Sequence, residues 1–481
     1  MIDPFAFVGR EEEANRMREL LATPRGELLA VLGRRRVGNT ALIRNVFASE
    51  IDFEITGIQR GTMKMQLAHF HEKFKALANV EPDIQPPVNW QDAFGRLKQW
   101  LQHNPSRQKR VLFFDELPWL ATPRSMFLEM LGHFWNDYAS MAKVLIVVCG
   151  SAAGWMVKQV VHQKGGLHNR ITLQLHLKPF TLHETATLLQ AKGITLNSYH
   201  IVQLYMVTGG IPHYLHPLKP GGSVAQYISQ LCFEPGGVLT DEFEKLYSSL
   251  YDRSENHIAI VRALAGKWRG LTRNEIVEAT GLSDGGSINR YLHELELSDF
   301  ITVVWPFDKK KKEKIYRLTD FYSLFYLKFM EQRRKRSIDG FVQVQQSQAY
   351  KSWCGYAFEN ICLYHLAQIK KYLGFSAVAA EASSYLFKGG INHKGFQIDL
   401  LIDRADGIIH LCEMKFYDGP FTVTAEFEER MRNLRATFRE ITGTRKSIYL
   451  TWMTPFGLLE NAHKYSFETQ VDAAALFVPL L

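Results

Sequence analysis

The stretch Gly33–Leu42, GRRRVGNTAL, decides the fold expected for the first third of this chain. The phosphate-binding loop pattern is a glycine, four residues, a second glycine, then lysine and serine or threonine. Gly33, Gly38 and Thr40 occupy three of these places, but Asn39 stands where the pattern has lysine. The stretch therefore predicts either a nucleotide-binding loop without its lysine or an ordinary turn between a strand and a helix.

The residues on either side of the loop favour the first interpretation. The short apolar run Glu27–Leu32 (ELLAVL) ends at Gly33, which is typical of a buried parallel strand, and Thr40–Phe47 (TALIRNVF) has a helical pattern. In such a strand–loop–helix unit, the loop N–H groups and the helix N-terminus together attract anions.

Two further apolar runs end in polar side chains. Val111–Glu116 reads VLFFDE and Val144–Ser151 reads VLIVVCGS. Ligands of open α/β sheets bind at the carboxyl ends of the strands, so these polar residues are expected beside the loop. Asp115 is expected to support Mg²⁺, and Glu116 to polarise the attacking water, as in nucleotide-hydrolysing phosphate-loop proteins.

The composition describes a globular chain of several units. Its 481 residues suggest about three domains, and the net charge of +8 is mild for this length. The five cysteines form no close pair and no metal-ligand spacing, which is typical of reduced thiols in the cytosol. The N-terminus lacks the pattern of a secretory signal, and no apolar run is long enough to span a bilayer. We therefore expect a cytoplasmic protein with no membrane partner.

The middle of the chain predicts a helical unit and then a winged helix-turn-helix. Helical spacing from Leu177 to about Pro220 suits a small lid above the first unit. Three helices and a hairpin follow, over His257–Lys267, Thr272–Thr280, Asp284–Leu297, Phe300–Trp305 and Lys314–Leu318. This order is the winged-helix pattern.

The exposed residues of the winged unit would meet a nucleic acid. On the third helix the outward positions are Ser287, Asn289, Arg290 and His293, and the hairpin tip carries Lys309, Lys310, Lys311 and Lys312. Lysines there are within reach of phosphates. The alternative stays open that the unit only packs against its neighbours and that the lysine run is a solvated turn.

The last quarter carries a set of acidic residues with one lysine. Glu359 lies on a predicted helix, Asp399 on a strand (FQIDLLID), and Glu413 and Lys415 on a second strand (IIHLCEMKF). Residues two apart in a strand share a face, so Glu413 and Lys415 project together. The carboxylates of Asp399 and Glu413 suit Mg²⁺, Gln397 is a further candidate at the metal, and Lys415 would orient water or neutralise phosphate charge.

Five motifs together resemble the prokaryotic ATPases of the AAA+/STAND-related group: FVGRE (Phe7–Glu11), GRRRVGNT, VLFFDELPWL, VVCGSAAGWM and GGIPHYL. The resemblance implies that Val8, Gly9 and Arg10 lie near adenine. It also implies that the phosphates are held by Gly33, Arg34, Arg35, Arg36, Val37, Gly38, Asn39, Thr40 and Ala41.

The same resemblance assigns roles to residues beyond the loop. Thr40 and Asp115 would hold Mg²⁺, Glu116 would be the catalytic carboxylate, and Ser151 would be a polar sensor. Arg170 would reach phosphate in the same or a neighbouring subunit, which implies a homo-oligomer.

The C-terminal set resembles the PD-(D/E)XK nuclease superfamily. A domain of this type commonly follows the winged helix in the ATPase group above. The resemblance implies that Glu359, Asp399, Glu413 and Lys415 are catalytic and that Asp399 and Glu413 hold the metal. A domain of this type that has lost its activity remains the alternative.

The resulting prediction is an α/β multidomain chain that binds ATP and Mg²⁺ and acts on nucleic acid, with DNA favoured. The predicted units are a P-loop AAA+-type core (1–176), a helical lid (177–250), a winged helix-turn-helix (251–330), a linker (331–349) and an α/β restriction-endonuclease-like domain (350–481). We expect Asn39, natural or engineered, to slow ATP hydrolysis far more than ATP binding. Phage defence and mobile-element control are settings for such a protein.

The alternative is a non-catalytic, nucleotide-dependent DNA-binding regulator or scaffold in which both sites are degenerate. Asn39 favours this alternative, whereas the Asp115–Glu116 pair and the C-terminal acidic set argue against it.

Overall fold

The computed structural model describes residues 7–79, 85–161, 167, 169–251, 253–307, 314–331, 340–390 and 393–480. The predicted wing lysines, Lys309–Lys312, lie outside the described residues. Within these ranges, the structure has no helix of the length and apolarity needed to cross a bilayer.

The N-terminal region is built on a parallel sheet of five strands in the order β2-β3-β4-β1-β5. The strands are β1 (Glu27–Gly33), β2 (Ile51–Thr56), β3 (Arg110–Asp115), β4 (Val144–Gly150) and β5 (Leu173–Leu177). The helices are α1 (Glu11–Ala22), α2 (Asn39–Val46), α3 (Met63–Ala78), α4 (Trp90–His103), α5 (Leu117–Leu120), α6 (Phe127–Phe134) and α7 (Ala153–Met156). The last two continue into π-helical turns at Trp135–Ala139 and Val157–Val161.

Strand β1 is covered on both faces, which explains its continuous apolar sequence. Leu28 and Leu32 pack in one core cluster, whereas Leu29 and Val31 pack in the cluster on the opposite face. As predicted, β1, β3 and β4 are adjacent parallel strands, so the polar residues that follow them meet at one edge of the sheet.

Five helices follow β5: α8 (Leu182–Ala191), α9 (Ser198–Thr208), α10 (Pro212–Leu215), α11 (Val224–Cys232) and α12 (Glu242–Leu250). A capping box of Thr181 and Glu184 starts α8, and Gly209, with a φ of 60°, ends α9 in the left-handed conformation.

The middle region has four helices and a small antiparallel sheet of order β6-β8-β7. Its elements are α13 (Ser254–Ala265), β6 (Leu271–Thr272), α14 (Arg273–Thr280), α15 (Gly286–Leu297), β7 (Ile301–Val304), β8 (Ile315–Leu318) and α16 (Phe321–Phe325), which continues into a π-helical turn at Tyr326–Met330. Ser287, Asn289, Arg290 and His293 are exposed on α15, as their spacing predicts.

The predicted linker 331–349 is not a plain linker where the structure describes it. It contains the helix α17 (Phe341–Gln346), whose Phe341 is buried. The Phe341 ring lies 6.2 Å from Phe233 and 6.3 Å from Phe325, between ring centroids. The apolar residues of this segment pack against the end of α11 and against α16, which orders the segment as a helix.

The C-terminal region has a mixed sheet of order β13-β12-β11-β10-β9. The strands are β9 (Ala380–Phe387), β10 (Phe396–Arg404), β11 (Ile408–Met414), β12 (Ser447–Met453) and β13 (Thr469–Val471), and the helices are α18 (Gln348–Tyr364), α19 (Leu366–Tyr372), α20 (Ala425–Thr442) and α21 (Ala473–Leu476). A 3-10 turn lies at Lys464–Ser466. One continuous buried core extends from α1 to α21, so the regions pack against one another.

Candidate nucleotide site and acidic cleft

The loop between β1 and α2 is shaped by its glycines. Gly38 has a φ of 98°, a conformation that side chains disfavour, and it sits just before the first turn of α2. A Cβ on Gly33 would lie 2.8 Å from the Leu177 carbonyl oxygen. The backbone therefore turns sharply and places the N-terminus of α2 beside a cavity.

Asn39 is turned back into the loop. Its Nδ2 donates to the Gly33 carbonyl oxygen at 3.2 Å, and its buried Oδ1 has no partner among the described residues. The side chain lines the cavity but brings no charge to it. The position that carries lysine in the pattern here stabilises the loop itself.

Two of the three loop arginines are committed to other regions of the chain. Arg34, predicted to hold the phosphates, is 2% exposed and pairs with Asp320 at 2.5 Å. Arg36 pairs with the buried Glu242 of α12 at 2.8 Å. Burial opposes the charge on Arg34, but Asp320 raises the pKa of its guanidinium above the ordinary value. Neither pair leaves its arginine free to replace the missing lysine.

Arg35 is the loop arginine that faces the cavity without an ion pair among the described residues. The cavity has a volume of about 420 Å³, which is within the range of small-molecule sites. The predicted residues that line it are Val8, Arg10, Arg35, Arg36, Val37, Gly38, Asn39, Thr40, Ala41, Glu116 and Ser151.

The two acidic residues at the end of β3 are held by hydroxyl groups. Thr40 Oγ1 donates to Asp115, at 3.2 and 3.1 Å from its two carboxylate oxygens. The backbone N–H and the Oγ of Ser151 donate to Glu116 Oε2 at 3.2 and 3.0 Å. Burial raises the pKa of both carboxyl groups above their ordinary values. The Thr40 hydroxyl and the Asp115 carboxylate together provide hard oxygen ligands, which Mg²⁺ prefers.

The remaining predicted residues take different positions. Gly9 has a φ of 77°, and Arg10 Nη2 donates to the Lys178 carbonyl oxygen while its guanidinium lies 4.9 Å from the Phe180 ring. Arg170 is not among the described residues that line the cavity, so this chain alone does not bring it to the loop.

Part of the cavity wall comes from the segment that follows β5, and its residues were not among those predicted from the sequence. These residues are Phe180, Leu188, Pro212, His213 and His216. Burial lowers the pKa of both histidines, with Arg36 adding to the effect on His213, so both are neutral at pH 7. The GGIPHYL motif, which contains His213, is the sequence signal from which this wall could have been predicted.

A second cavity, here called the acidic cleft, opens in the C-terminal region and has a volume of about 1200 Å³. Glu359 from α18, Asp399 from β10, and Glu413 and Lys415 from the end of β11 all line it. Antiparallel pairing of β10 and β11, with Leu400 opposite Cys412, places Asp399 and Glu413 on neighbouring strands. The structure thus brings the four predicted residues to one cleft.

Cations surround the carboxylates of the acidic cleft. Lys415 Nζ lies 3.1 Å from Glu413 Oε1, and Arg430 Nη2 lies 3.2 Å from the same oxygen. Burial lowers the pKa of Lys415, but Glu413, Glu359 and Asp399 together outweigh burial, and the net shift is upward. Gln397 Nε2 donates to Asp399, and its buried Oε1 has no partner among the described residues.

Glu359 is the most perturbed carboxylate of the cleft. Its Oε2 accepts from Arg317 Nη2 of β8 at 3.0 Å. Burial and the nearby charge of Asp399 raise the pKa of Glu359 to about 7, against the opposing effect of Arg317.

The cleft offers a small oxygen donor set for a metal. No group of three or more His, Cys, Asp and Glu side chains arranged to hold a metal occurs within the described ranges. The available donors are Asp399, Glu413 and the unpartnered Gln397 Oε1, all hard oxygens that fit Mg²⁺.

The middle region supplies part of the cleft wall, which the sequence analysis did not anticipate. Trp268, Arg269 and Arg317 line the cleft together with Tyr356 of α18. The rings of Trp268 and Tyr356 stack at 3.8 Å between centroids, so the two regions join at the cleft.

The comparisons with known proteins agree with the geometry of the first site. Residues 7–218 match a family described as an ATPase domain predominantly from Archaea. The chain is 23% identical over 417 residues to the uncharacterized protein MJECL04 of Methanocaldococcus jannaschii, covering 86% of this chain and 88% of that protein.

Two solved structures align with this chain at low identity. The Walker-type ATPase PABY2304 of Pyrococcus abyssi is 19% identical, covers 67% of this chain and 96% of its own, and has a TM-score of 0.48. The ORC2 protein of Aeropyrum pernix is 12% identical, with coverages of 69% and 95% and a TM-score of 0.43. Residues 7–218, which contain the parallel sheet, therefore resemble the ATPase domains of that predominantly archaeal family.

Proposed function

We propose that this chain binds ATP in the cavity beside Gly33–Ala41 and cleaves phosphodiester bonds of nucleic acid, with DNA favoured, in the acidic cleft. The observation that carries the proposal is the meeting of Glu359, Asp399, Glu413 and Lys415 in one cleft. Three carboxylates and an ammonium group in a shared cavity suit metal-assisted hydrolysis of a phosphodiester.

At the nucleotide site, binding is supported better than turnover. The loop amides, the N-terminus of α2, Thr40 and Arg35 can hold phosphates. Thr40 and Asp115 would hold Mg²⁺, which supplies charge neutralisation when bound. Glu116, held by Ser151, polarises water. Because Asn39 donates to Gly33 and not towards the cavity, the charge that develops during hydrolysis lacks its usual partner.

At the acidic cleft, Asp399 and Glu413 would hold a divalent cation, which supplies Lewis acidity and an activated water when bound. Lys415 neutralises charge at the phosphorus. Arg269 and Arg430 line the same cleft and can pair with flanking phosphates.

The middle region is proposed to be a winged helix-turn-helix that guides nucleic acid. Support comes from the three-stranded sheet, from the exposed Asn289 and Arg290, and from Trp268 and Arg269 in the cleft wall. The wing lysines Lys309–Lys312 add a basic tip in the sequence. ATP-dependent assembly into a homo-oligomer, with Arg170 reaching a neighbour, and a role in phage defence remain parts of this proposal.

A non-catalytic, nucleotide-dependent DNA-binding regulator or scaffold is the second candidate. Asn39 favours it, since a neutral residue at this position suits a protein that holds nucleotide and does not turn it over. The contacts of Arg317 and Arg430 with the cleft carboxylates also suit a cleft that has become structural.

Cleavage of supercoiled plasmid in the presence of Mg²⁺ separates the two candidates. We expect Asp399→Asn to reduce cleavage about 100-fold or more, because the carboxylate that holds the cation is lost. Asp403→Asn is the matched control, since Asp403 lies on the same strand, pairs with Lys446 at 2.5 Å and does not line the cleft. Equal cleavage by the two variants, or cleavage that persists in a chelator, would remove the nuclease proposal and leave the regulator.

A further inference from the structure

Two buried ion pairs meet on one short segment, Arg317–Asp320, at the end of β8. At its start, Arg317 Nη2 lies 3.0 Å from Glu359 Oε2 in the acidic cleft. At its end, Asp320 Oδ1 lies 2.5 Å from Nη1 of Arg34 in the phosphate loop. The segment therefore contacts both candidate sites directly.

Both pairs are buried deeply enough for the partners to move together. The side chains of Arg34 and Asp320 are 2% and 3% exposed, and those of Arg317 and Glu359 are 8% and 13% exposed. Separation of either pair would leave a largely buried charge without its counter-charge, which is strongly disfavoured.

The Asp320 end of the segment is further fixed by backbone contacts. Asp320 Oδ2 accepts from Ser323 N at 2.8 Å and so caps α16, while the N–H groups of Thr319 and Asp320 donate to the Phe300 carbonyl oxygen at 3.0 and 3.1 Å. The Arg34 guanidinium lies 4.5 Å from the centroid of the Phe300 ring. Arg34, Phe300 and the segment thus form one unit.

There is also room for this unit to move. A cavity of about 640 Å³ borders Arg34, Arg317, Thr319 and Asp320. Arg34 Nη2, Arg317 Nε and Asn360 Oδ1 are buried polar atoms without a partner in the described structure, and all three residues line this cavity. A segment that borders a cavity, next to polar atoms with no protein partner in the described structure, can adopt a second arrangement without disrupting a packed core.

We propose that the segment Arg317–Asp320 couples the phosphate loop to the acidic cleft. A change in the loop displaces Arg34, Asp320 follows it, and Arg317 shifts Glu359 relative to Asp399. Arg317 is thus a positioning residue of the cleft. This inference rests on the proposed function for its biological meaning, whereas the coupling is a property of the folded chain and is measured without nucleotide or cleavage.

Hydrogen exchange of the full chain, followed by mass spectrometry, tests the coupling from both ends. Arg317→Met with Glu359→Gln removes both charges at the cleft end. We expect exchange of the amides in residues 33–46 to accelerate at least about threefold, as the phosphate loop loses its distant support. Arg34→Met with Asp320→Asn neutralises the other end and keeps a capping side chain for α16. In that variant we expect faster exchange around Glu359 in α18.

The matched control is Asp403→Asn with Lys446→Met, which neutralises an ion pair of the same C-terminal sheet outside the cleft. We expect its residues 33–46 to exchange as in the parent chain. The coupling would be overturned if either double variant left exchange unchanged at the site it does not alter, or if the control accelerated exchange equally. If one of the two double variants fails to fold, as judged by its melting curve, the result for the other decides.

The affinity for ATP and the plasmid assay keep this test separate from that of the proposed function. Because coupling between two sites is reciprocal, we expect Arg317→Met with Glu359→Gln to change the affinity for ATP about fivefold or more. Plasmid cleavage with no exchange effect overturns the coupling alone. An exchange effect with no cleavage overturns the nuclease and retains the coupling.

Discussion

The nucleotide site and the acidic cleft differ in where their positive charges point. In the phosphate loop, Arg34 and Arg36 pair with Asp320 and Glu242 in other regions, and the lysine position holds a neutral Asn39. In the acidic cleft, Lys415 and Arg430 face Glu413, and Arg317 faces Glu359, so these cations pair with carboxylates of the cleft itself. The loop arginines join neighbouring regions of the chain, whereas the cleft cations neutralise carboxylates of the cleft itself. Under the proposed function, the first site suits nucleotide binding and the second retains the groups proposed for cleavage.

The largest effect is expected from restoring the lysine. Asn39→Lys supplies a cation at the cavity beside Thr40, so we expect ATP turnover to rise about 100-fold or more. Asn45→Lys is the matched control, because Asn45 lies on the same helix, is exposed and does not line the cavity. The measurement is steady-state phosphate release with Mg²⁺. Equal rates for the two variants would mean that the loop is structural, and the contrast between the two sites would become sharper still.

The next effect concerns the contact between the C-terminal region and helix α8, where His365 is fully buried. Its Nε2 accepts from Leu182 N at 2.9 Å, and its Nδ1 donates to the Ile361 carbonyl oxygen at 2.9 Å. Burial lowers the pKa of His365 to about 4.

Because this folded-state pKa lies below the ordinary value, the unfolded chain binds the proton first. The stability contributed by neutral His365 is therefore fully present above pH 6.5 and is lost as the pH falls towards 4. Between pH 6.5 and 5 the loss is about 2 kcal/mol.

Urea unfolding midpoints at pH 7 and pH 5 measure this loss. His365→Gln is expected to be less stable overall but less sensitive to pH, whereas His133→Gln, at an exposed position of α6, is expected to keep the pH dependence of the parent chain. If His365→Gln retained the full pH dependence, this contact would not depend on a neutral histidine.

The smallest effect is expected from the one loop arginine that faces the cavity unpaired. Arg35→Ala is expected to weaken ATP binding about tenfold, or about 1.4 kcal/mol, because a partly exposed charge near the phosphates is lost. The control is Arg44→Ala, since Arg44 pairs with Glu54 at 2.6 Å on the exposed side of α2. Titration calorimetry measures both affinities. Identical affinities would show that the loop amides alone hold the nucleotide.

Much of the local structure follows from sequence pattern. Glycine spacing and apolar runs predicted β1, α2, β3 and β4 and their shared polar edge, because these features depend on neighbours in the chain. The alternation in FQIDLLID and IIHLCEMKF likewise placed Asp399, Glu413 and Lys415 on adjacent strands. The pattern predicted a linker over 331–349, where the structure has α17. Aromatic contacts with distant residues order this helix, and such contacts are not visible in the local sequence.

The sequence by itself determined which residues could carry chemistry, and the tertiary structure decided which of them are available. Three consecutive arginines look equivalent in GRRR, yet Arg34 meets Asp320, 286 residues away, and only Arg35 of the three is left unpaired at the cavity. In the sequence, Glu359 is an isolated acid on a predicted helix. In the structure it contacts Arg317 of β8, which is 42 residues away in the chain. Periodicity fixes the face on which a side chain lies. The partner that the side chain contacts depends on how the regions pack, because a buried charge is costly unless a counter-charge lies beside it.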